Sequence, residues 1–166
     1  FEITRFNLQD IVLQKETLDL SMMLEQLADE SYAVLAEKSL TCSIHTDDNL
    51  LVDGDPDKLA RVFDNLLRNA FTTVSLAKQD IIITFSNQGD QIPPQKLNFI
   101  FEKFYRVDNA RQSRTGGAGL GLSIAKEIVE LHGGAIAASS SPVCTRFTVK
   151  LPRHQEEQQP AAAKKW

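Results

Sequence analysis

At 166 residues the chain has enough length for one hydrophobic core and too little for two. Its 42% hydrophobic content and net charge of -4 exclude whole-chain disorder and argue against a general nucleic-acid binder, which would need a positive field. Two cysteines, Cys42 and Cys144, cannot form a stapling framework, no apolar run approaches the ~20 residues that span a bilayer, and the start at Phe1 lacks a signal peptide's basic and hydrophobic regions.

In chain order, a strand is predicted over 11–15. A helix follows Asp19, with Leu20, Met23, Leu24, Leu27 and Leu35 on one side; Met22 and Met23 read as core filler. A second strand is predicted over 40–45. At Asp55-Pro56 an acidic cap meets a residue with no amide hydrogen to waste, and Leu59, Val62, Phe63, Leu66, Leu67 and Ala70 then recur as a helical stripe. One strand, 80–85, follows. A third helix spans 120–132, with Leu122, Ala125, Ile128 and Val129 inward and Gly133 as its stop. Strands at 135–139 and 146–151 close the pattern, and the tail from His154 to Trp166 has little to bury. The irregular interleaving predicts an α/β (α+β) two-layer sandwich, with a mixed, mostly antiparallel sheet and helices on one face.

Four of the 8 glycines, Gly116, Gly117, Gly119 and Gly121, crowd ahead of the third helix. Glycines permit close backbone approach and a helix start offers unpaired amides, so this segment suits a polyphosphate. It is neither a P-loop nor a dinucleotide fingerprint, and such a run alone reads more readily as a plain loop. Asn65 and Asn69 stand four apart on the Asp55 helix, although asparagine is a mediocre helix former. Their amide oxygens suit Mg²⁺; a pair of solvated amides is the bland alternative. Asn87 ends a strand in the turn Asn87-Gln88-Gly89-Asp90-Gln91-Ile92, where an amide matches the edge of adenine, or simply makes a turn. Aromatics in Phe101-Glu102-Lys103-Phe104-Tyr105-Arg106 predict a short helix end docked on the core, with Arg106, Arg111 and Arg114 reaching toward phosphates and 104–119 forming a lid.

Together these four segments resemble the N, first G, F and second G boxes of the ATP-binding domain of sensor histidine kinases, a group that shares its Bergerat-type fold with gyrase, Hsp90 and MutL. The resemblance covers about residues 18–152. Three further phrases, at 3–8, 54–63 and 108–111, resemble one subgroup in particular. The family implies ATP and Mg²⁺ as cofactors, with Asn69 as metal ligand and Asn65 close by or also a ligand. Asn87 would read adenine in place of the usual Asp. Gly89, Ile92, Phe104, Tyr105, Gly117, Gly119, Leu120, Gly121 and Leu122 would line the nucleotide, and Arg106 would approach the γ-phosphate. Asn65, Asn69 and Arg106 are then the catalytic set. Related ATPases resemble the pattern with a glutamate at position 65; an asparagine there cannot activate water, so hydrolysis should be slow.

The implied reaction moves the γ-phosphoryl of ATP to a histidine on a separate dimerisation domain, and then to a response regulator. His45, His132 and His154 lack the acceptor's flanking pattern; His45 reads as a strand residue and His132 as a helix terminus. The implied organisation is 1–18 as the end of a dimerisation helix, linker and first strand, 19–152 as the catalytic domain, and 153–166 as a flexible tail. The implied setting is the cytoplasmic side of a bacterial membrane-anchored homodimer, the fragment itself monomeric. Departures are Asn87, Gln91 in place of a glycine, and Thr72-Thr73 in place of a basic-aromatic pair. A single strand before Asn87, where the family has a hairpin, means either a lost strand or a sequence joined across missing residues; the second is the expectation. An ATPase or chaperone-type switch and a degenerate nucleotide-binding module stand as alternatives.

Overall fold

A computed structural model describes residues 11–37, 43–47, 49–67, 71–77, 79–106 and 119–155, with backbone alone considered for 71–76. The elements run β1 (Glu16–Asp19), α1 (Leu20–Glu37), β2 (Ser43–Thr46), β3 (Leu51–Gly54), α2 (Pro56–Leu67), β4 (Phe71–Ala77), β5 (Asp80–Asn87), a 3-10 turn (Pro94–Lys96), α3 (Gly121–Leu131), β6 (Ala135–Ser140) and β7 (Thr145–Pro152). The main sheet has the order β2-β4-β5-β7-β6; β2 runs parallel to β4 and the other pairs are antiparallel. β1 and β3 form a separate antiparallel ribbon.

Local chemistry accounts for the helices. Asp19 Oδ1 accepts the Ser21 and Met22 amides at 2.8 and 3.4 Å, which starts α1. Asp55 Oδ1 accepts the Lys58 amide at 3.1 Å and Pro56 occupies the first helical position of α2. Gly133, at φ +74, ends α3 as its sequence predicts. The core forms where the stripes of these helices meet one face of the sheet. Leu59, Val62, Phe63, Ala125, Ile128 and Val129 pack with Ile81, Ile83 and Phe85, the alternate residues of β5, and with Val149 and Leu151 of β7. Phe63 stacks on Phe85 with ring centroids 6.0 Å apart. Truncating Phe63 to alanine would cost about 3–5 kcal/mol through lost contact and a residual cavity.

Several expectations are corrected. The hairpin strand expected to be missing is present: β4 pairs with β5 from Phe71↔Ser86 to Ala77↔Asp80, across a two-residue connection. Residues 11–15 are not a strand. β1 begins at Glu16, opposite Gly54, where β3 gives way to Asp55 and α2, so nothing continues the ladder; the Gln14 amide donates instead to Asp55 Oδ2 at 2.9 Å. Met23 packs against the core, but Met22 is 69% exposed and fills nothing. His154 donates its amide to Leu51 O at 2.7 Å, and its ring Nδ1 meets Asp53 Oδ1 at 2.8 Å. That contact, against the opposing effect of burial and with help from the Thr17 hydroxyl, holds the Asp53 carboxyl below its usual pKa.

Candidate functional site

α2 and α3 pack against each other, and contacts at both ends, Asp55 with His132 and Asn65 with Gly121, make the pair antiparallel. At one end, the N-terminus of α2 meets the C-terminus of α3: the Asp55 amide donates to His132 Nε2 at 3.0 Å, so His132 Nδ1 carries the proton and donates to Ile128 O at 2.7 Å. Asp55 and His132 are only 6% and 5% exposed. Burial raises the Asp55 carboxyl, but the amides of Gln14, Lys58 and Asp57 outweigh it and the pKa falls below the usual value. His132 is lowered by burial, which its bond to Ile128 only partly opposes. His132 therefore does structural work, as its sequence context implies.

The opposite end brings α2's Asn65 against the start of α3. A Cβ on Gly121 would lie 3.5 Å from Asn65 Oδ1 and 3.7 Å from its Nδ2, ordinary contact distances that place the amide directly beside the start of α3. Leu120 occupies the N-cap position of α3 with no side-chain cap, leaving the first turn's amides to another acceptor. Leu120 and Leu122 are half-buried against the core. Asn69 and Gly117 lie outside the described residues, as do Arg111, Arg114 and most of the expected lid.

Residues 101–106 do not form the expected helix end. They make turns, with Phe104 at φ +63 and 72% exposed. Phe101 reaches the sheet instead, edge-on to Phe147 at 6.5 Å, and Tyr105 lies beside Phe99 at 5.9 Å. The physical reason is a backbone clamp. Phe104 donates its amide to Gly119 O at 3.1 Å, and Gly119, at φ +75, sits so close that a Cβ would lie 3.0 Å from Tyr105 O and 3.2 Å from Arg106 Cγ. Thus Phe104, Tyr105, Arg106 and Gly119 come together one residue ahead of Leu120 and two ahead of Gly121.

Asn87 closes β5 opposite Thr145 of β7. Its side-chain Oδ1 is buried and has no hydrogen-bond partner among the described residues. In the following turn nothing lies within 4 Å of the space a Gly89 Cβ would take, and the Ile92 amide donates to Ser140 Oγ at 2.9 Å. Ser140 and Thr145 are residues the sequence reading passed over; their only signal is that both fall at strand ends in register with Asn87. Among the described residues no His, Cys, Asp or Glu cluster has metal-ligand geometry.

These features coincide with a family pattern. Residues 54–155 match the family described as histidine kinase-, DNA gyrase B-, and HSP90-like ATPase, and the chain belongs to it. It is an ATP-binding domain with an α/β sandwich fold. The chain is 52% identical over 162 residues to the sensor protein VanS of Enterococcus faecium, covering 92% of this chain and 42% of that protein. Its likeness to VanSC of Enterococcus gallinarum is 47% over 162 residues, with 92% and 45% covered. The chain thus spans less than half the length of these relatives. Among solved structures, the catalytic domain of histidine kinase ThkA superposes with a TM-score of 0.74 at 22% identity, covering 84% of this chain and 96% of that one. Full-length ShkA in complex with AMPPNP gives 0.76 at 22%, covering 88% and 32%. At those identities the likeness establishes the fold.

Proposed function

We propose that this chain is the catalytic domain of a two-component sensor histidine kinase of the vancomycin-resistance type, transferring the γ-phosphoryl of Mg-ATP to a histidine on a separate dimerisation domain. One observation carries the reading: the buried, unpartnered Oδ1 of Asn87. An orphaned buried acceptor costs about 1–3 kcal/mol, and a donor such as adenine's exocyclic amine removes that cost. The phosphate end is supported by the uncapped start of α3 and by Gly121 beside Asn65.

Asn65, with Asn69, offers neutral amide oxygens that fit Mg²⁺, which when bound would neutralise phosphate charge. The remaining work belongs to the chain. Asn87 orients the base, α3's amides and Arg106 face the charge that develops on transfer, and Gly119 keeps Arg106 and Tyr105 close to the loop. Asn65 lacks the basicity to deprotonate water, so the phosphoryl is kept for the acceptor.

In this reading residues 1–18 are the end of the dimerisation helix, linker and first strand, 19–152 form the catalytic domain, and 153–166 form a tail whose first two residues are tied back through the Gln79 and Leu51 carbonyls. The partners are the acceptor domain and a response regulator, with no nucleic acid. The full-length protein is a membrane-anchored homodimer with this part cytoplasmic, and this piece alone is a monomer. No described helix is long and apolar enough to cross a membrane. Titration of the chain with Mg-AMPPNP should show micromolar, magnesium-dependent binding, and supplying a histidine-bearing dimerisation domain with ATP should yield acid-labile phosphate. No binding, or phosphate released to water faster than to histidine, would overturn the proposal.

A further inference from the structure

We infer that Ser140 is a positioning residue that fixes the base end of the nucleotide site and sets its preference for adenine over guanine. The inference rests on the nucleotide reading above and goes beyond it in naming what makes the site selective. Asn87 cannot supply selectivity by itself. Its amide presents a donor and an acceptor, and half a turn about its last bond exchanges them, so the same side chain pairs with the edge of adenine or of guanine. Discrimination must come from what surrounds the base, and the segment that follows Asn87 directly is the turn from Gln88 to Ile92.

That turn is held at two points. At its start it continues β5, whose Asn87 is in register with Thr145. At its end the Ile92 amide donates to Ser140 Oγ at 2.9 Å, and this is the last donor the backbone offers before Pro93 and Pro94. Ser140 is itself in register with Thr145, and their hydroxyl oxygens lie 2.7 Å apart. Thr145 is 5% exposed. One oxygen therefore joins the rims of β6 and β7 to the far end of the turn, and Gly89 between the two anchor points faces open space. Without the Ser140 hydroxyl the Ile92 amide turns to water, the turn loosens, and Asn87 reads either purine.

The test is competitive titration of the whole chain with Mg-ADP and Mg-GDP, together with amide hydrogen exchange at Ile92. Ser140→Ala should weaken ADP about fivefold, leave GDP nearly unchanged and so narrow the ADP-to-GDP ratio by a similar factor, while exchange at Ile92 accelerates. Ser140→Thr, which keeps the hydroxyl, should restore the ratio. Ser140→Cys, closest to serine in shape but a weak acceptor, should behave as alanine does and serves if the alanine variant fails to fold. A wild-type chain that binds ADP while Ser140→Ala or Ser140→Cys keeps its affinity ratio overturns this inference alone, as does an equal loss for both nucleotides. A wild-type chain that binds neither nucleotide overturns the parent reading, and this one with it.

Discussion

The two ends of the α2 and α3 pair use buried polar groups to opposite purposes. At the Asp55 end the carboxylate collects amides from Gln14, Lys58 and Asp57, and His132 spends both ring nitrogens on backbone partners. At the Asn65 end, and at the end of β5, groups are left incomplete among the described residues: Asn87 Oδ1 has no partner and Leu120 gives α3 no side-chain cap. Saturated polar burial locks a fold, whereas unsaturated polar burial marks where something else completes it. The 12-residue α2 is about 18 Å long, so the two ends lie a helix length apart and should respond independently.

The sharpest way to break this contrast is to remove the acceptor at the saturated end. Asp55→Ala should cost about 2–4 kcal/mol in urea unfolding, through the lost cap and the stranded Gln14 amide, while nucleotide affinity of the folded fraction is unchanged. Asn87→Leu should do the reverse. Nucleotide affinity in a calorimetric titration should fall more than about tenfold, and stability should hold or rise by about 1 kcal/mol, because an orphaned acceptor is replaced by an apolar group of similar shape. Since the sites share no partner, the double variant should show the sum of both effects.

Next in size is the clamp. Gly119→Ala introduces a Cβ at φ +75 and 3.0 Å from Tyr105 O, which should cost about 1–2 kcal/mol and weaken nucleotide binding severalfold. Gly121→Ala meets Asn65 only at ordinary contact distance and should leave the melting temperature nearly unchanged. The smallest effect is a pH dependence from His132. Its folded pKa is depressed below 6.5, so as pH falls the unfolded chain takes up the proton first. The stabilisation is complete above about pH 6.5 and is lost as pH drops toward the folded value. Unfolding midpoints between pH 8 and pH 5 should show this slope, and His132→Gln should flatten it.

Much of this was legible in the residues. The stripes of α2 and α3, the Asp55-Pro56 start and the Gly133 stop follow from local chemistry and hold in the fold. β4 escaped because its hairpin turn, Ala77 to Asp80, contains none of the glycine or asparagine that usually announces one, and because Thr72-Thr73 broke an expected family pattern even though the segment is rich in β-branched residues. The apolar start of 11–15 suggested a strand, but strand identity is decided by the partner, and β3 ends too soon to provide one. At the candidate site, Asn65 and Gly121 stood out separately, through helical spacing and a glycine-rich helix start, and only the family resemblance joined them in one site. The Phe104 turn was not, because its conformation is set by Gly119, distant in sequence. Nor could any pattern reveal that Asn87 would be left unpaired, since that depends on every neighbour failing to reach it.

The run-on beyond β7 carries a practical lesson. Arg153 donates its amide to Gln79 O at 2.9 Å and His154 to Leu51 O at 2.7 Å, so two residues lash the β4–β5 turn and the β1–β3 ribbon together like a buckle. A ribbon of two strands has little staying power unaided. A gene trimmed to stop at Leu151 would still encode Asn65, Asn87, Ser140, Gly119 and Gly121, yet its product would lose the fastening by which the ribbon is kept in harness with the sheet.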